Sequence, residues 1–224
     1  MDYNAADIAK MIDHSVLKPE ATTKDVEDGC LIALKYKTAT VCVRPCDVSK
    51  ARGFLLGSDV AVAVVVGFPH GTNTVEVKAY EAERAIQDGA AEIDVVMNYG
   101  RLLSGEFSYV ENEIVTLTEA AHKRSAIIKV IFETCALSEE LIIEACRMCN
   151  AASVDFVKTS TGFGARGATA GDVILMRKHA DPKIQVKASG GIKTLNDVIE
   201  MKRLGATRIG ASSTAVIMES FREL

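Results

Sequence analysis

The stretch from Val154 to Thr169, VDFVKTSTGFGARGAT, passes from an apolar segment through Lys158 straight into a glycine-rich loop. Its glycines Gly162, Gly164 and Gly167 spell G-x-G-x-x-G between a strand pattern and a helix pattern, the form of a dinucleotide-binding fingerprint. That fingerprint needs an acidic residue about 20 positions later, at the end of the next strand, to hold a ribose. The next strand pattern, IQVKAS from Ile184, offers Lys187 there, and too little sequence follows for a full dinucleotide fold. A lysine is left at the tip of a buried strand, where an unpaired ammonium costs several kcal/mol.

Outward from this stretch, short apolar segments recur: MIDHS from Met11, TATVCV from Thr38, VAVAVVV from Val60, EIDVVMN from Glu92, AIIKVIFE from Ala126, VDFVKTS itself, IQVKAS, and TRIGAS from Thr207. Most are rich in Val and Ile and nearly continuous, as parallel strands buried on both faces are. Helix patterns lie between them. Thr22-x-x-Asp25, Ser108-x-x-Glu111, Thr169-x-x-Asp172 and Thr194-x-x-Asp197 each fit a capping box, and Gly89 and Gly205 fit helix C-caps. Eight strands alternating with helices predict a single α/β domain over residues 1–224, a (β/α)8 TIM barrel. A doubly wound sheet, with five or six strands, is the runner-up.

The 224 residues are 48% hydrophobic and carry a net charge of -4 with a pI near 5.7. That mild acidity argues against nucleic acid or an anionic membrane as partner. No basic segment followed by an apolar stretch opens the sequence, and the longest apolar run, from Val60, is far short of a membrane span. A cytoplasmic enzyme is expected. Of the six cysteines, Cys146 and Cys149 form a CxxC late in a helix pattern capped by Ser138. A redox CxxC belongs at a helix start, and no second pair completes a zinc site, so reduced structural cysteines are expected.

In a barrel, chemistry gathers at the C-terminal ends of the strands. Those ends offer Asp13, Cys42, Asp94, Lys129 with Glu133, Lys158, Lys187 and the Gly210–Ser213 turn. Lys129 is expected to pair with Glu133. Lys158 and Lys187, on neighbouring strands six and seven, would repel, and one would become a neutral amine able to attack a carbonyl. The glycine-rich turns after strands seven and eight, with Gly190, Gly191, Lys193, Gly210, Ser212 and Ser213, fit a phosphate site of backbone N–H groups. No cluster shows metal-ligand spacing. His14 and His70 are expected to make local hydrogen bonds, and His122 and His179 to lie on helix surfaces.

DHSVLKPEAT, VCVRPCDV, VVVGFPHGTNT, EIDVVMNYG, IKVIFETC, DFVKTSTGFG, VKASGGIK and RIGASS together resemble the deoxyribose-phosphate aldolases, class I aldolases of (β/α)8 fold, over nearly the whole chain. The resemblance implies reversible cleavage of 2-deoxy-D-ribose 5-phosphate to acetaldehyde and D-glyceraldehyde 3-phosphate, with no metal or other cofactor, in deoxynucleoside catabolism. It implies that Lys158 forms the Schiff base, that Lys187 perturbs it, and that Asp94 and Asp13 serve the proton relay. It places Gly162, Gly190, Gly191, Gly210, Ser212 and Ser213 at the phosphate and Cys42 in the pocket lining, and it implies a homodimer acting on small phosphosugars and aldehydes. Two departures stand out. The family's C-terminal tyrosine has no counterpart in the final ESFREL, the last tyrosine being Tyr109, so proton transfer at C2 is expected to be slower or served by water. Arg166 replaces a small residue and would either add charge beside the phosphate or point to solvent. The alternatives are a Schiff-base aldolase for another phosphosugar, a non-catalytic sugar-phosphate-binding barrel, and a metal-dependent lyase, which a chelator would distinguish.

Overall fold

The valine- and isoleucine-rich segments become eight parallel strands: β1 (Ile12–Val16), β2 (Thr40–Val43), β3 (Ala61–Val66), β4 (Glu92–Val96), β5 (Ile127–Ile131), β6 (Phe156–Lys158), β7 (Gln185–Ser189) and β8 (Arg208–Ala211). In this computed structural model, described over residues 4–222, they close in sequence order into a barrel, β8 pairing back onto β1. Met1–Tyr3 and the last two residues of the ESFREL end lie outside the described residues. Among the described residues ten α-helices are interleaved with the strands: α1 (Ala5–Ala9), α2 (Thr23–Tyr36), α3 (Val48–Phe54), α4 (Val75–Gln87), α5 (Tyr99–Leu103), α6 (Phe107–His122), α7 (Glu139–Ala152), α8 (Ala170–His179), α9 (Leu195–Arg203) and α10 (Thr214–Glu219). The expected (β/α)8 architecture is thus observed, and the doubly wound alternative is excluded by ring closure.

Alternation along the strands divides the protein into two layers. Outward residues such as Val41, Val64, Ile93, Val130, Val157, Val186 and Ile209 join the helices in one continuous apolar shell. Each such side chain, fully buried, contributes on the order of 1.5–3 kcal/mol. The inward face differs. Cys42, Ala63 and Val65 form a small separate apolar cluster there, while Asp13, Asp94, Lys129 and Lys187 are almost wholly buried. The register aligns Asp94 with Lys129 and Lys158 with Lys187, so strand pairing itself sets the charged groups side by side.

The helix starts follow the local chemistry. Thr22 with Asp25, Thr169 with Asp172 and Thr194 with Asp197 form reciprocal capping boxes. Ser108 with Glu111 does not: the chain turns at Gly105, α6 begins at Phe107, and Ser108 falls inside the first turn with Glu106 in the cap position. Gly89 and Gly205 each lie one residue beyond the caps Asp88 and Leu204, at φ +113° and +109°. Cys146 and Cys149 are buried on the inner side of α7 and unbonded to one another.

One ion pair is buried outside the barrel. Lys78 of α4 donates to Glu113 of α6 (2.7 Å) and to the Val96 carbonyl (2.8 Å), and Glu113 accepts the Asn98 N–H (2.7 Å). It ties two helices to the C-terminal end of β4. Removing one member of such a pair strands the other without a counter-charge, at a cost of about 3–5 kcal/mol. Lys78→Met is therefore expected to lower the thermal midpoint sharply, and Lys78→Met with Glu113→Leu to regain much of it. Calorimetry of the two variants checks this.

Candidate active site

At the C-terminal ends of the strands the loops surround a cleft of about 590 Å3. Asp13, Cys42, Lys158, Gly162, Lys187, Gly190, Gly191, Lys193, Gly210, Ser212 and Ser213 all line it. Asp94 lies just beneath, fully buried, between the amines. The structure thus brings every predicted site residue to one end of the barrel.

Asp94 is the hub of the floor. Its Oδ2 accepts from Lys158 (2.8 Å) and from Lys187 (2.7 Å), and its Oδ1 accepts from Lys129 (2.7 Å). Lys187 also donates to Asp13 Oδ2 (2.5 Å). Burial alone would raise the Asp94 carboxyl, but Lys129, Lys158 and Lys187 outweigh it and hold the group far below the usual range. Burial likewise opposes the charge on Asp13, and Lys187, Lys129 and Arg208 overcome it.

The two lysines differ. Burial pulls the Lys158 amine down, Asp94 opposes, and Lys187 pulls it further, for a net lowering. Lys187 is equally buried, yet Asp13 and Asp94 together carry its amine upward. The expectation that mutual repulsion would free one amine is corrected in its weighting: desolvation is the larger cause and the neighbouring charge the smaller. The identity of the softened lysine follows from the carboxylate count, since Lys158 has one partner and Lys187 two.

Three other expectations are revised. Lys129 does not pair with Glu133, because Lys129 lies inside β5 while Glu133 stands two residues past the strand's end. Its partners are Glu92 (2.5 Å) and Asp94 (2.7 Å). Glu133 sits at φ 56° beyond the strand and turns to the loop after β6, accepting the Thr161 N–H at 3.4 Å and the Thr161 hydroxyl. Arg166 does not line the cleft: it lies exposed, as the second alternative has it, and grips Asp172 of the α8 capping box, with Nη1–Oδ2 at 2.5 Å and Nη2–Oδ1 at 3.2 Å. His14 is not locally bonded, since its Nδ1 meets Thr214 Oγ1 at 2.8 Å across the barrel seam, and burial pushes its pKa down to about 4. His70 and His122 are exposed.

The glycine-rich walls are locked by backbone. A Cβ on Gly167 would land on the Gly190 carbonyl, so only glycine lets the loops after β6 and β7 touch. Ala168 N–H donates to Ser189 O (3.0 Å) and Gly190 O (3.2 Å), and the Ser189 hydroxyl donates to Ser160 O (2.6 Å). Sequence reasoning missed Glu92 and Arg208, which close the floor from below. The signal was available: Glu92 stands two residues before Asp94 and Arg208 two before Gly210, so strand alternation turns both inward. It also missed Phe68 and Phe163, an edge-on ring pair at 5.2 Å, the second of which lines the cleft. Among the described residues no group of three or more His, Cys, Asp or Glu side chains could hold a metal ion.

Cys42 faces this cleft, yet burial pushes its thiol up to about 11. Cys46, four residues on, is exposed. A thiolate is the reacting species, so limiting iodoacetamide at pH 7.5 is expected to label Cys46 at least tenfold faster than Cys42, as peptide mass mapping will read.

The sequence profile of the DeoC/LacD family aldolases matches residues 8–217. The deoxyribose-phosphate aldolase of Rhodopirellula baltica is 45% identical over 222 residues, 99% of this chain and 92% of that one. The solved structure of QR15, an aldolase, superposes with a TM-score of 0.91 at 40% identity, covering 97% of this chain and 96% of that one. Deoxyribose phosphate aldolase from Aeropyrum pernix, itself a tetramer, superposes with a TM-score of 0.91 at 32% identity, covering 98% and 92%. With the closed barrel and the lysine-lined cleft, these similarities establish that the chain belongs to the DeoC/LacD aldolase family.

Proposed function

We propose that this protein is a class I aldolase that cleaves 2-deoxy-D-ribose 5-phosphate reversibly into acetaldehyde and D-glyceraldehyde 3-phosphate, through a Schiff base on Lys158. The observation that carries the reading is the Lys158 amine: buried, softened, held by a single carboxylate, and open to a cleft whose far wall is glycine-rich backbone. A depressed lysine pKa has no use in a pure binding module, and a neutral amine is what imine formation requires.

The steps follow from the geometry. Lys158 attacks the C1 aldehyde of the open-chain sugar and loses water to give an iminium. The iminium draws electrons from the C2–C3 bond. Asp94 and Lys187, which share a hydrogen bond at 2.7 Å, serve as the relay that takes the C3 hydroxyl proton as the bond breaks. Asp13 keeps Lys187 charged and aligned. D-Glyceraldehyde 3-phosphate leaves, and the enamine on Lys158 is protonated and hydrolysed to acetaldehyde. Gly162, Gly190, Gly191, Gly210, Ser212, Ser213 and Lys193 hold the phosphate, and their binding energy fixes the reacting carbons over the amine.

A homodimer belongs to the same reading. The exposed Val77 and Tyr80 of α4, Leu103 of α5 and Phe107 of α6 are apolar side chains available to it. No helix among the described residues is long and apolar enough to cross a membrane.

Borohydride trapping with acetaldehyde or deoxyribose 5-phosphate, followed by mass mapping, tests the chemistry. A reduced adduct is expected on Lys158 and none in Lys158→Ala; a folded wild type without adduct would refute the reading. Asp94→Asn is expected to lose about 10²–10⁴-fold in kcat. Gly167→Ala, which drives the two phosphate loops apart, is expected to lose about 10²-fold in kcat/KM on the phosphorylated sugar while leaving acetaldehyde trapping intact.

A further inference from the structure

Beneath the cleft, the barrel interior holds more positive than negative charge. Four cations, Lys129 on β5, Lys158 on β6, Lys187 on β7 and Arg208 on β8, face three carboxylates, Asp13 on β1 and Glu92 and Asp94 on β4. The remaining strands add no charge: β2 contributes the neutral Cys42, and β3 contributes Ala63 and Val65. At the mouth, Glu133 is turned to Thr161, and Lys18, Glu20, Asp25 and Lys193 stand on the solvent side of the cleft wall.

The contacts within this set are unequal. Lys129 reaches three carboxylates, at 2.5, 2.7 and 3.7 Å. Lys187 reaches two, at 2.5 and 2.7 Å, and Arg208 two, at 2.7 and 3.0 Å. Lys158 reaches only Asp94 Oδ2, which it shares with Lys187. A buried set with one cation in excess is relieved by loss of a proton. Arginine does not give one up, so the proton comes from the lysine with the fewest carboxylate contacts.

We infer that Arg208 and Glu92, at the N-terminal ends of β8 and β4 and outside the cleft lining, are positioning residues that set the charge state of Lys158. Arg208 gives the interior its surplus charge, and Glu92 keeps that surplus to one. Arg208 bonds Asp13 and Glu92, Glu92 bonds Lys129, and Lys129 bonds Asp94, so the chain of contacts ends on the carboxylate that holds Lys158. The Phe156 ring packs under both Lys129 (5.9 Å) and Arg208 (5.2 Å). This inference rests on the imine reading of Lys158, but the charge state can be measured without any turnover.

The experiment is the pH dependence of trace acetic anhydride labelling of Lys158, read by peptide mass mapping, on wild type, Arg208→Met, Arg208→Lys and Glu92→Gln, each confirmed folded by circular dichroism. The kcat/KM profile is recorded in parallel. Arg208→Met is expected to move the Lys158 midpoint and the acid limb of kcat/KM up by about one pH unit, and Glu92→Gln to move both down by a similar amount. Arg208→Lys, which keeps the charge, is expected to restore the wild-type midpoint. Simple structural damage would lower activity without moving midpoints in opposite directions. Shifts of the same sign, or none, would overturn the inference. Should Arg208→Met not fold, the downward shift in Glu92→Gln sustains the inference and its absence overturns it. A wild type that titrates as described but traps no imine would instead refute the proposed reaction and leave the charge relationship standing.

Discussion

A single carboxylate, that of Asp94, holds three buried amines at 2.7–2.8 Å, and the rest of the interior is arranged to make that possible. Three lysines could not share one barrel lumen without it, since each would face the others unscreened in a medium of low dielectric. Asp13 and Glu92 supply the further negative charge, and Arg208 bridges them. The shell of valine and isoleucine between sheet and helices supplies the stability that lets an interior of this kind exist. In many barrels the lumen is packed with branched apolar side chains; here a small cluster of Cys42, Ala63 and Val65 and the Phe156 ring share it with the buried ion pairs.

The two ends of the cleft are built by different means. The floor is made of side chains, fixed by ion pairs that strand register aligns. The glycine-rich wall is made of backbone, fixed by the contact of the loop after β6 with the loop after β7 at Gly167 and Gly190. Side chains place a buried amine beside carboxylates; a wall of backbone N–H groups suits an anion that carries its charge over several oxygens. A sugar phosphate, with a carbonyl at one end and a phosphate at the other, matches that division.

Much of this was legible in the sequence because strand chemistry is local. Eight apolar runs, three of four capping boxes and the lysines at strand ends are properties of a few adjacent residues, and they fixed the architecture and the end of the barrel that matters. What was not legible depends on where a side chain ends. Lys129 and Glu133 are near neighbours in the chain, yet an extended strand carries them apart and hands Lys129 to Glu92, across the sheet. Arg166 reads as either a charge beside a phosphate or a side chain pointing to solvent, and the sequence does not reveal that the α8 capping box offers it Asp172. Ser108-x-x-Glu111 has the residues of a cap but not the position, since a glycine turn upstream sets where α6 starts. The family resemblance pointed to Lys158 as the softened lysine, but the physical reason, its smaller number of carboxylate partners, is visible only in space.

The seam of the barrel carries a consequence for assembly. Asp13 lies on the first strand and Arg208 on the last, 195 residues apart, and the strands that bear them pair directly. Until β8 docks on β1, Asp13 and Glu92 lack the guanidinium that joins them, and the lysines between are incompletely matched. Contacts this distant in sequence close long loops, whose entropy must be offset before the contact rewards it. A barrel that has not closed therefore lacks the guanidinium that joins Asp13 to Glu92, and the charge arrangement around Lys158 is complete only in the closed ring.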